Sequence, residues 1–241
     1  MWIALIVILA ILCVLFIIPT GFLFIASLFI SRKKEYDTDS PFYRKLLYRG
    51  TDAMLWPLRI HVNFTGKEKI PKTKRVFFVY NHVSNFDPIL LYTELKDWNI
   101  SFLSKEENFH VPVFGRIARR CLFLAIDRED PKEALKAINK AADFVKREEV
   151  SFGASPEGTR SKTGVLLPFH DGVFKVAKKA NAYVVVVCIS DTEKIQEHLL
   201  FHRHEVRYDI ADVITPEEVA KENVHTIAKR AWDAIYKITG K

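Results

Sequence analysis

The first thirty residues constrain the architecture of this chain most. They carry no charge, and 26 of the 30 are Ala, Val, Ile, Leu, Met, Phe, Trp, Tyr or Cys, so all 36 basic and 29 acidic residues of the 241 lie beyond them. Such a segment is not stable in water, whereas the rest of the chain is long enough for one large core. The sequence therefore predicts a membrane-embedded segment over residues 1–30, followed by a folded domain.

The predicted membrane segment is too long for one straight span. Thirty helical residues extend about 45 Å, whereas the hydrocarbon core of a bilayer is about 30 Å thick. Pro19, Thr20 and Gly21 interrupt the apolar run, so we expect either an embedded helix or a helical hairpin broken at this triplet. A cleaved secretory signal fits less well, because Arg32-Lys33-Lys34 follows the run and no basic residue precedes it. These basic residues favour a domain on the cytoplasmic side of the cytoplasmic membrane.

Residues 31–60 are predicted to form a linker and an amphipathic helix. Ser40 is a suitable N-cap and Pro41 a suitable first residue for a helix over 40–56. Its apolar face contains Phe42, Tyr43, Leu46, Leu47 and Met54, and its polar face contains Arg44, Lys45, Arg49 and Asp52. The helix either lies in the membrane interface or packs its apolar face on the domain.

Composition excludes several classes of protein. Three cysteines without a CxxC pair indicate neither a disulfide framework nor a structural zinc, and they fit a reducing compartment. The net charge is +7, but no basic run exceeds three residues, so anionic lipid is the expected partner rather than nucleic acid. The sequence does not indicate an oligomeric state.

Residues 61–241 alternate short apolar runs with helical periods. This pattern predicts a three-layer α/β domain, with a central mixed, largely parallel sheet covered by helices. Asp130-Pro131 and Thr215-Pro216 each open a predicted helix, the second of which continues past Ile235. The predicted strands cover residues 62–65, 76–80, 100–103, 122–126, 151–154, 184–189 and 205–210.

A polar turn with His82 and Asp87 follows the apolar strand at 76–80. Pro88 favours a helix that begins there with Asp87 as its N-cap, which leaves His82 in the turn. One interpretation is structural, with Asp87 as a cap and His82 as a loop residue. The other is catalytic: the carboxylate orients the imidazole, which then takes a proton from a hydroxyl.

A second polar stretch, residues 156–161, follows the predicted strand at 151–154. Ligand sites of α/β domains gather at such strand ends. Gly158 permits close backbone approach, and the planar guanidinium of Arg160 suits a phosphate. The alternative is a solvated turn whose arginine pairs with a surface acid.

The two stretches together resemble the 1-acyl-glycerol-3-phosphate acyltransferase family (the lysophosphatidic acid acyltransferases), a branch of the glycerolipid acyltransferases. Asn81-His82 to Asp87 matches the family's HxxxxD motif, and Glu157 to Arg160 matches its EGTR motif. Residues 102–106 and 123–128 resemble two further family blocks, one containing a lysine and one ending in Asp-Arg. The resemblance covers approximately residues 75–190.

The resemblance implies roles for individual residues. His82 would be the general base and Asp87 its orienting partner. The acceptor would be held by Lys105, Arg128, Glu157, Gly158, Thr159 and Arg160. An acyl group would pass from acyl-CoA or acyl carrier protein to the 2-hydroxyl of lysophosphatidic acid, a membrane lipid, giving phosphatidic acid without metal, cofactor or covalent intermediate. Ser84 is then expected to bond the backbone of its turn.

Departures from the family pattern leave the acceptor open. The strand at 183–189 has no proline, and His170 and Cys121 stand where lysine and glycine are common. Glycerol-3-phosphate or another lysophospholipid is therefore an alternative acceptor.

Alternatives from other classes also stay open. One is a non-catalytic, membrane-anchored lipid-binding protein, and another is a serine hydrolase using Ser84, although no GxSxG elbow is present. His198, His202 and His204 are interpreted as a basic patch rather than a metal site.

Overall fold

The computed structural model describes residues 2–31, 34–197, 199 and 202–241, without some side chains between positions 4 and 16. One seven-stranded sheet lies at the centre, in the order β1-β7-β6-β2-β5-β3-β4. Every neighbouring pair is parallel except β6 and β7, which are antiparallel. The strands are β1 (Ile60–Thr65), β2 (Val76–Tyr80), β3 (Ser101–Ser104), β4 (Leu124–Ala125), β5 (Phe152–Ala154), β6 (Tyr183–Ser190) and β7 (His204–Ile214). The predicted mixed sheet between helices is confirmed.

Strand β2 lies in the middle of the sheet because both of its faces are apolar. Phe77 and Val79 join the core on one face, which also contains residues of the helices at 131–146, 175–180 and 224–239. Val76 and Phe78 join the core on the other face, with residues of the helices at 86–94 and 114–120. All four side chains are fully buried. This double burial is what a continuous apolar run without alternation predicts.

The helices are α1 (Trp2–Leu28), α2 (Pro41–Leu55), α3 (Phe86–Glu94), α4 (Phe114–Arg120), α5 (Pro131–Lys146), α6 (Lys175–Ala180), α7 (Pro216–Lys221) and α8 (Val224–Thr239). Asp130 caps α5, and Thr215 and Glu218 form a capping box on α7, as predicted. The single helix expected after Thr215 is wrong. The chain leaves helical geometry at Glu222, and Asn223 caps a second helix.

Helix α1 continues through Pro19, Thr20 and Gly21, so the broken hairpin is wrong. Proline removes one backbone hydrogen-bond donor from the helix, and the neighbouring turns retain their donors. The C-terminal end of α1 docks on the domain: the Tyr43 hydroxyl donates to the Ala26 carbonyl at 3.2 Å, and Arg116 donates to the Ser27 carbonyl at 3.2 Å.

The predicted membrane segment lies partly outside the described residues, as do Arg32 and Lys33 of its basic flank. Within the described part of the chain, which omits several side chains of α1, no helix is long and apolar enough to cross a membrane.

Helix α2 lies on the domain and also exposes apolar side chains. Leu47 is buried, whereas Phe42, Met54 and the following Trp56 are exposed. Arg44 departs from its predicted polar face and is only 2% exposed. It donates to the Ile100 and Cys121 carbonyls at 3.0 and 2.8 Å. Arginine is buried here because backbone carbonyls and the Asp39 carboxylate satisfy its guanidinium.

Candidate active site

The polar turn at residues 81–85 lies at the carboxyl end of β2, at the edge of the sheet where the parallel strands β3, β4, β5 and β6 also end. The predicted N-cap at Asp87 is wrong, because α3 begins at Phe86 after Asn85. Asp87 instead lies in the first turn of the helix. From there its side chain reaches back over the turn that precedes it.

The Asp87 carboxylate is fully buried and accepts four hydrogen bonds. Oδ2 accepts from the backbone amides of Val83 and Ser84 at 2.8 and 2.7 Å, and it lies 2.8 Å from His82 Nδ1. Oδ1 accepts from the hydroxyl of Thr192. Charge-assisted bonds of this number compensate for the burial of a carboxylate.

His82 is therefore oriented by its neighbours. A carboxylate only accepts hydrogen bonds when ionised, so Nδ1 carries the proton toward Asp87. Nε2 is then the nitrogen that can take up another proton. The His82 side chain is 21% exposed, while that of its partner is inaccessible. This arrangement of a buried orienting carboxylate and an accessible imidazole is suited to general-base chemistry.

Glu157 joins the second predicted motif to the first. It is 3% exposed. Oε1 accepts from the backbone amide of His82 at 2.6 Å, and Oε2 accepts from that of Leu167 at 3.0 Å. The Ser161 amide donates to the His82 carbonyl at 2.7 Å. Burial raises the pKa of Glu157, and the two amides oppose that shift. Both carboxylate oxygens expected to serve the substrate are thus bonded to the main chain.

Three of the other predicted binding residues border a cleft of about 980 Å³. Lys105 from the end of β3, Arg128 after β4, and Gly158 line this cleft. Gly158 has a φ of +72°, and a side chain there would meet His170 at 3.3 Å and the Arg128 guanidinium at 3.7 Å. Glycine is favoured here by the left-handed backbone and by the close approach of His170. Thr159 and Arg160 are exposed on the same loop.

The sequence-based interpretation missed the residues that support the dyad from β7 and from the turn after β6. Besides Thr192, the Tyr208 hydroxyl donates to the Asp87 carbonyl at 3.0 Å, and burial raises the pKa of Tyr208 so that its proton is retained. Asn81 donates to the Ile189 carbonyl and accepts from its amide, at 2.8 and 2.7 Å. These partners are more than 100 residues away from the turn. Only Asn81, which belongs to the predicted polar stretch, had a local signal.

Ser84 is fully buried, and its Oγ accepts from the Phe86 amide at 3.3 Å. This is the turn-bonding role predicted for it. His198 of the basic patch lies outside the described residues. Among those that are described, no three His, Cys, Asp or Glu side chains are grouped so that they could hold a metal.

A comparison with protein families identifies residues 61–190, more than half of the chain, as a match to the Acyltransferase family model. The chain belongs to the Acyltransferase family. The resemblance predicted from the HxxxxD and EGTR motifs is thereby confirmed.

Similar proteins include 1-acyl-sn-glycerol-3-phosphate acyltransferases from several organisms. That of Cocos nucifera is 29% identical over 154 residues, which are 64% of this chain and 47% of that protein. That of Saccharomyces cerevisiae is 27% identical over 180 residues, covering 73% and 59%. The matched part therefore spans about half to three fifths of the length of these relatives.

The fold is similar to that of a solved structure, the 1-acyl-sn-glycerophosphate (LPA) acyltransferase PlsC from Thermotoga maritima. The TM-score is 0.70 at 22% sequence identity, over 92% of this chain and 87% of the other. At this level of identity the likeness concerns the fold alone. It extends beyond the family match to nearly the whole chain.

Proposed function

We propose that this protein transfers a fatty acyl group from an acyl thioester to the 2-hydroxyl of 1-acyl-glycerol-3-phosphate, forming phosphatidic acid in phospholipid synthesis. The observation that carries the proposal is the His82–Asp87 pair, with a 2.8 Å contact and a buried carboxylate. Membership of the Acyltransferase family and relatives named for this activity support it.

The reaction requires a base because a neutral hydroxyl attacks a thioester poorly. His82 Nε2 removes the hydroxyl proton as the oxygen bonds to the acyl carbon. The Asp87 carboxylate stabilises the imidazolium that forms. The carbon–sulfur bond then breaks, and the proton passes from His82 to the departing thiolate of coenzyme A or acyl carrier protein. The proton of the acceptor hydroxyl thus ends on the thiol, and no covalent enzyme intermediate forms.

The acceptor phosphate is assigned to the cations at the strand ends. Arg160 offers a planar, two-pronged donor, and Lys105 and Arg128 border the adjacent cleft. Glu157 has a positioning role in this proposal. It holds the backbone of His82 and thereby sets the distance between the base and the Gly158–Arg160 loop.

Membrane association belongs to the same proposal. Exposed apolar side chains occur along α1, including Ile6, Ile17 and Phe22, and again at Phe42 of α2 and at Trp56 just after it. Exposed apolar surface of this kind marks a membrane or protein contact. We propose lipid as the occupant, with the domain on the cytoplasmic side of the cytoplasmic membrane, because the acceptor is itself a membrane lipid.

The first test is transfer of a labelled acyl group to lysophosphatidic acid in vesicles, with acyl-CoA and acyl carrier protein as alternative donors. His82→Ala should lower kcat by roughly 10²- to 10⁴-fold, because the base is lost. The matched control is His225→Ala, an exposed histidine that also contacts a carboxylate, at 2.9 Å. It should retain wild-type turnover. Absence of transfer with either donor and every phosphorylated acceptor would favour the lipid-binding alternative.

The phosphate assignment has its own test. Arg160→Ala should raise KM for lysophosphatidic acid by about 10-fold or more. Arg160→Lys should lower this KM only part of the way to the wild-type value, because lysine lacks the planar guanidinium with its two parallel donors. Lys162→Ala is the control, as this exposed cation lies two residues further along the loop. If Lys162→Ala raised KM as much as Arg160→Ala, general surface charge rather than a specific contact would explain the affinity.

A further inference from the structure

Thr192 contacts the His82–Asp87 dyad, although it lies outside both sequence motifs. It lies in the short helical turn Thr192–Gln196 after β6 and is fully buried. Its hydroxyl donates to Asp87 Oδ1, the oxygen that does not contact His82. The two oxygens of the carboxylate are therefore held from opposite sides, Oδ2 by its own turn and Oδ1 by Thr192.

The fold delivers Thr192 to this position through a series of contacts. Asn81 bonds both the amide and the carbonyl of Ile189, so the end of β6 is tied to the end of β2. Asp191 then takes a left-handed backbone with a φ of +70°, and Ile195 is buried in the core beyond it. At the far end of the turn, the side-chain amide of Gln196 donates through Nε2 to Ser84 Oγ at 3.2 Å. The Thr192–Gln196 turn thus contacts the His82–Asp87 turn at two points.

Two threonines within helices bond differently. The hydroxyls of Thr51 and Thr93 donate to carbonyls of their own helices, at Leu47 and Leu90. The Thr192 hydroxyl instead reaches a carboxylate 105 residues away in sequence. A carboxylate bonded through one oxygen alone can rotate about its Cβ–Cγ bond. A donor on the second oxygen removes that freedom and fixes the direction in which Oδ2 faces the imidazole.

We infer that Thr192 is a positioning residue of the dyad: its hydroxyl fixes the plane of the Asp87 carboxylate, so that Oδ2 holds His82 in the tautomer with the proton on Nδ1. Its effect on turnover rests on the proposed function. Its effect on the tautomer does not, because the contact exists without substrate.

The test compares Thr192→Val, Thr192→Ala and Thr192→Ser in the full chain. Valine keeps the shape without the hydroxyl, and serine keeps the hydroxyl without the methyl group. Thr93→Val is the matched control on α3. One readout is the tautomer of His82 from nitrogen-15 NMR of histidine-labelled protein in detergent, and the other is steady-state acyl transfer. Circular dichroism checks that each variant folds. If valine prevents folding, the comparison of alanine with serine still isolates the hydroxyl.

We expect Thr192→Val and Thr192→Ala to mix the two tautomers and to lower kcat about 10- to 100-fold, since small displacements of catalytic groups have effects of this size. KM for the acceptor should stay within about twofold, because Thr192 does not touch the substrate. Thr192→Ser and Thr93→Val should keep the wild-type tautomer and kcat.

The inference is overturned if folded Thr192→Val keeps both the tautomer and kcat. It is also overturned if kcat falls equally in all three Thr192 variants while the tautomer is unchanged, since that pattern reflects packing alone. If wild-type protein transfers no acyl group but the tautomer still depends on the Thr192 hydroxyl, the proposed function fails and the positioning role stands.

Discussion

Two histidine–carboxylate pairs in this chain have nearly the same contact distance and different surroundings. His82 Nδ1 lies 2.8 Å from Asp87, and His225 Nδ1 lies 2.9 Å from Asp171. The side chains of the first pair are 21% and 0% exposed, whereas those of the second are 76% and 39% exposed. Distance therefore does not distinguish a dyad from a surface contact.

The difference lies in what holds each carboxylate. Asp87 accepts from two backbone amides and from Thr192 in addition to its histidine, so its orientation persists when the imidazole moves or changes charge. Asp171 and His225 are solvated, and exposed pairs of this kind contribute about 0–1 kcal/mol. A carboxylate that several donors hold at the carboxyl ends of the strands can direct proton transfer, whereas a solvated pair has no fixed geometry.

The largest effect is expected from Asp87→Asn. The amide keeps the shape of the carboxylate, but it cannot accept on both atoms, and it removes the charge that stabilises the imidazolium. We expect kcat to fall by about 10³- to 10⁴-fold, with circular dichroism close to that of the wild type. Acyl transfer in vesicles measures it. A loss below about tenfold would mean that the buried carboxylate has a structural role alone, and the comparison between the two pairs would lose its basis.

A second buried ion pair makes it possible to test the effect of burial on stability apart from any effect on catalysis. Arg44 and Asp39 are in contact at 2.5 Å, and their side chains are 3% and 7% exposed. Arg44→Met removes one partner and leaves a buried carboxylate unpaired, so the free energy of unfolding should fall by about 3–5 kcal/mol. The kcat of the folded fraction should stay near wild type.

Denaturant unfolding in detergent, with Arg49→Met as the exposed control on the same helix, measures this effect. The result sharpens the comparison, because neither member of the Arg44 pair is accessible to a substrate. A large loss of kcat in fully folded Arg44→Met would show instead that α2 and the beginning of β3 are coupled to the site.

Glu157→Gln is expected to have a smaller effect, with a pH dependence of known sign. Glutamine can accept from only one of the two amides, which costs about 1–3 kcal/mol of unfolding free energy. Burial raises the pKa of Glu157 above its ordinary value of 4.5, so the folded state binds more protons than the unfolded state just above pH 4.5.

The contribution of Glu157 to stability should accordingly be full below pH 4.5 and decline as the pH rises through the raised folded-state pKa. The free energy of unfolding of the wild type and of Glu157→Gln, measured across this pH range, gives the contribution of Glu157 at each pH. A gap that widened with rising pH would contradict the sign and show that the two amide bonds outweigh burial.

Local patterns predicted much of this architecture. All seven strands are predicted within a few residues, because each is either an apolar run or an alternation of apolar and polar residues between polar turns. The capping residues of α5 and α7 carry their own signals. The sequence predicts the His82–Asp87 pair because both residues lie in one short polar stretch after β2. The EGTR loop was placed beside it because parallel strands end at the same edge of a sheet.

Features that depend on the assembled fold were not accessible in the same way. Arg44 was placed on a solvated face because a helical wheel does not include the Ile100 and Cys121 carbonyls that bury it. Thr192 and Tyr208 had no signal, since an isolated threonine or tyrosine in a strand region resembles ordinary core. The resemblance to the EGTR motif implies a substrate role for Glu157, and its two backbone partners could not be foreseen because they belong to loops that only tertiary structure brings together.

The smallest effect is expected at the exposed pair. Asp171→Asn should change the free energy of unfolding by less than about 0.5 kcal/mol, and by less still at high salt, because water and ions already screen this contact. Its kcat should equal that of the wild type. Parallel measurements on Asp87→Asn and Asp171→Asn then apply the same chemical change to two pairs that differ in contact distance by 0.1 Å. If Asp171→Asn lowered kcat as Asp87→Asn does, the burial of the carboxylate and its four donors could not be what makes the His82 pair a base, and α8 would have to be included in the site.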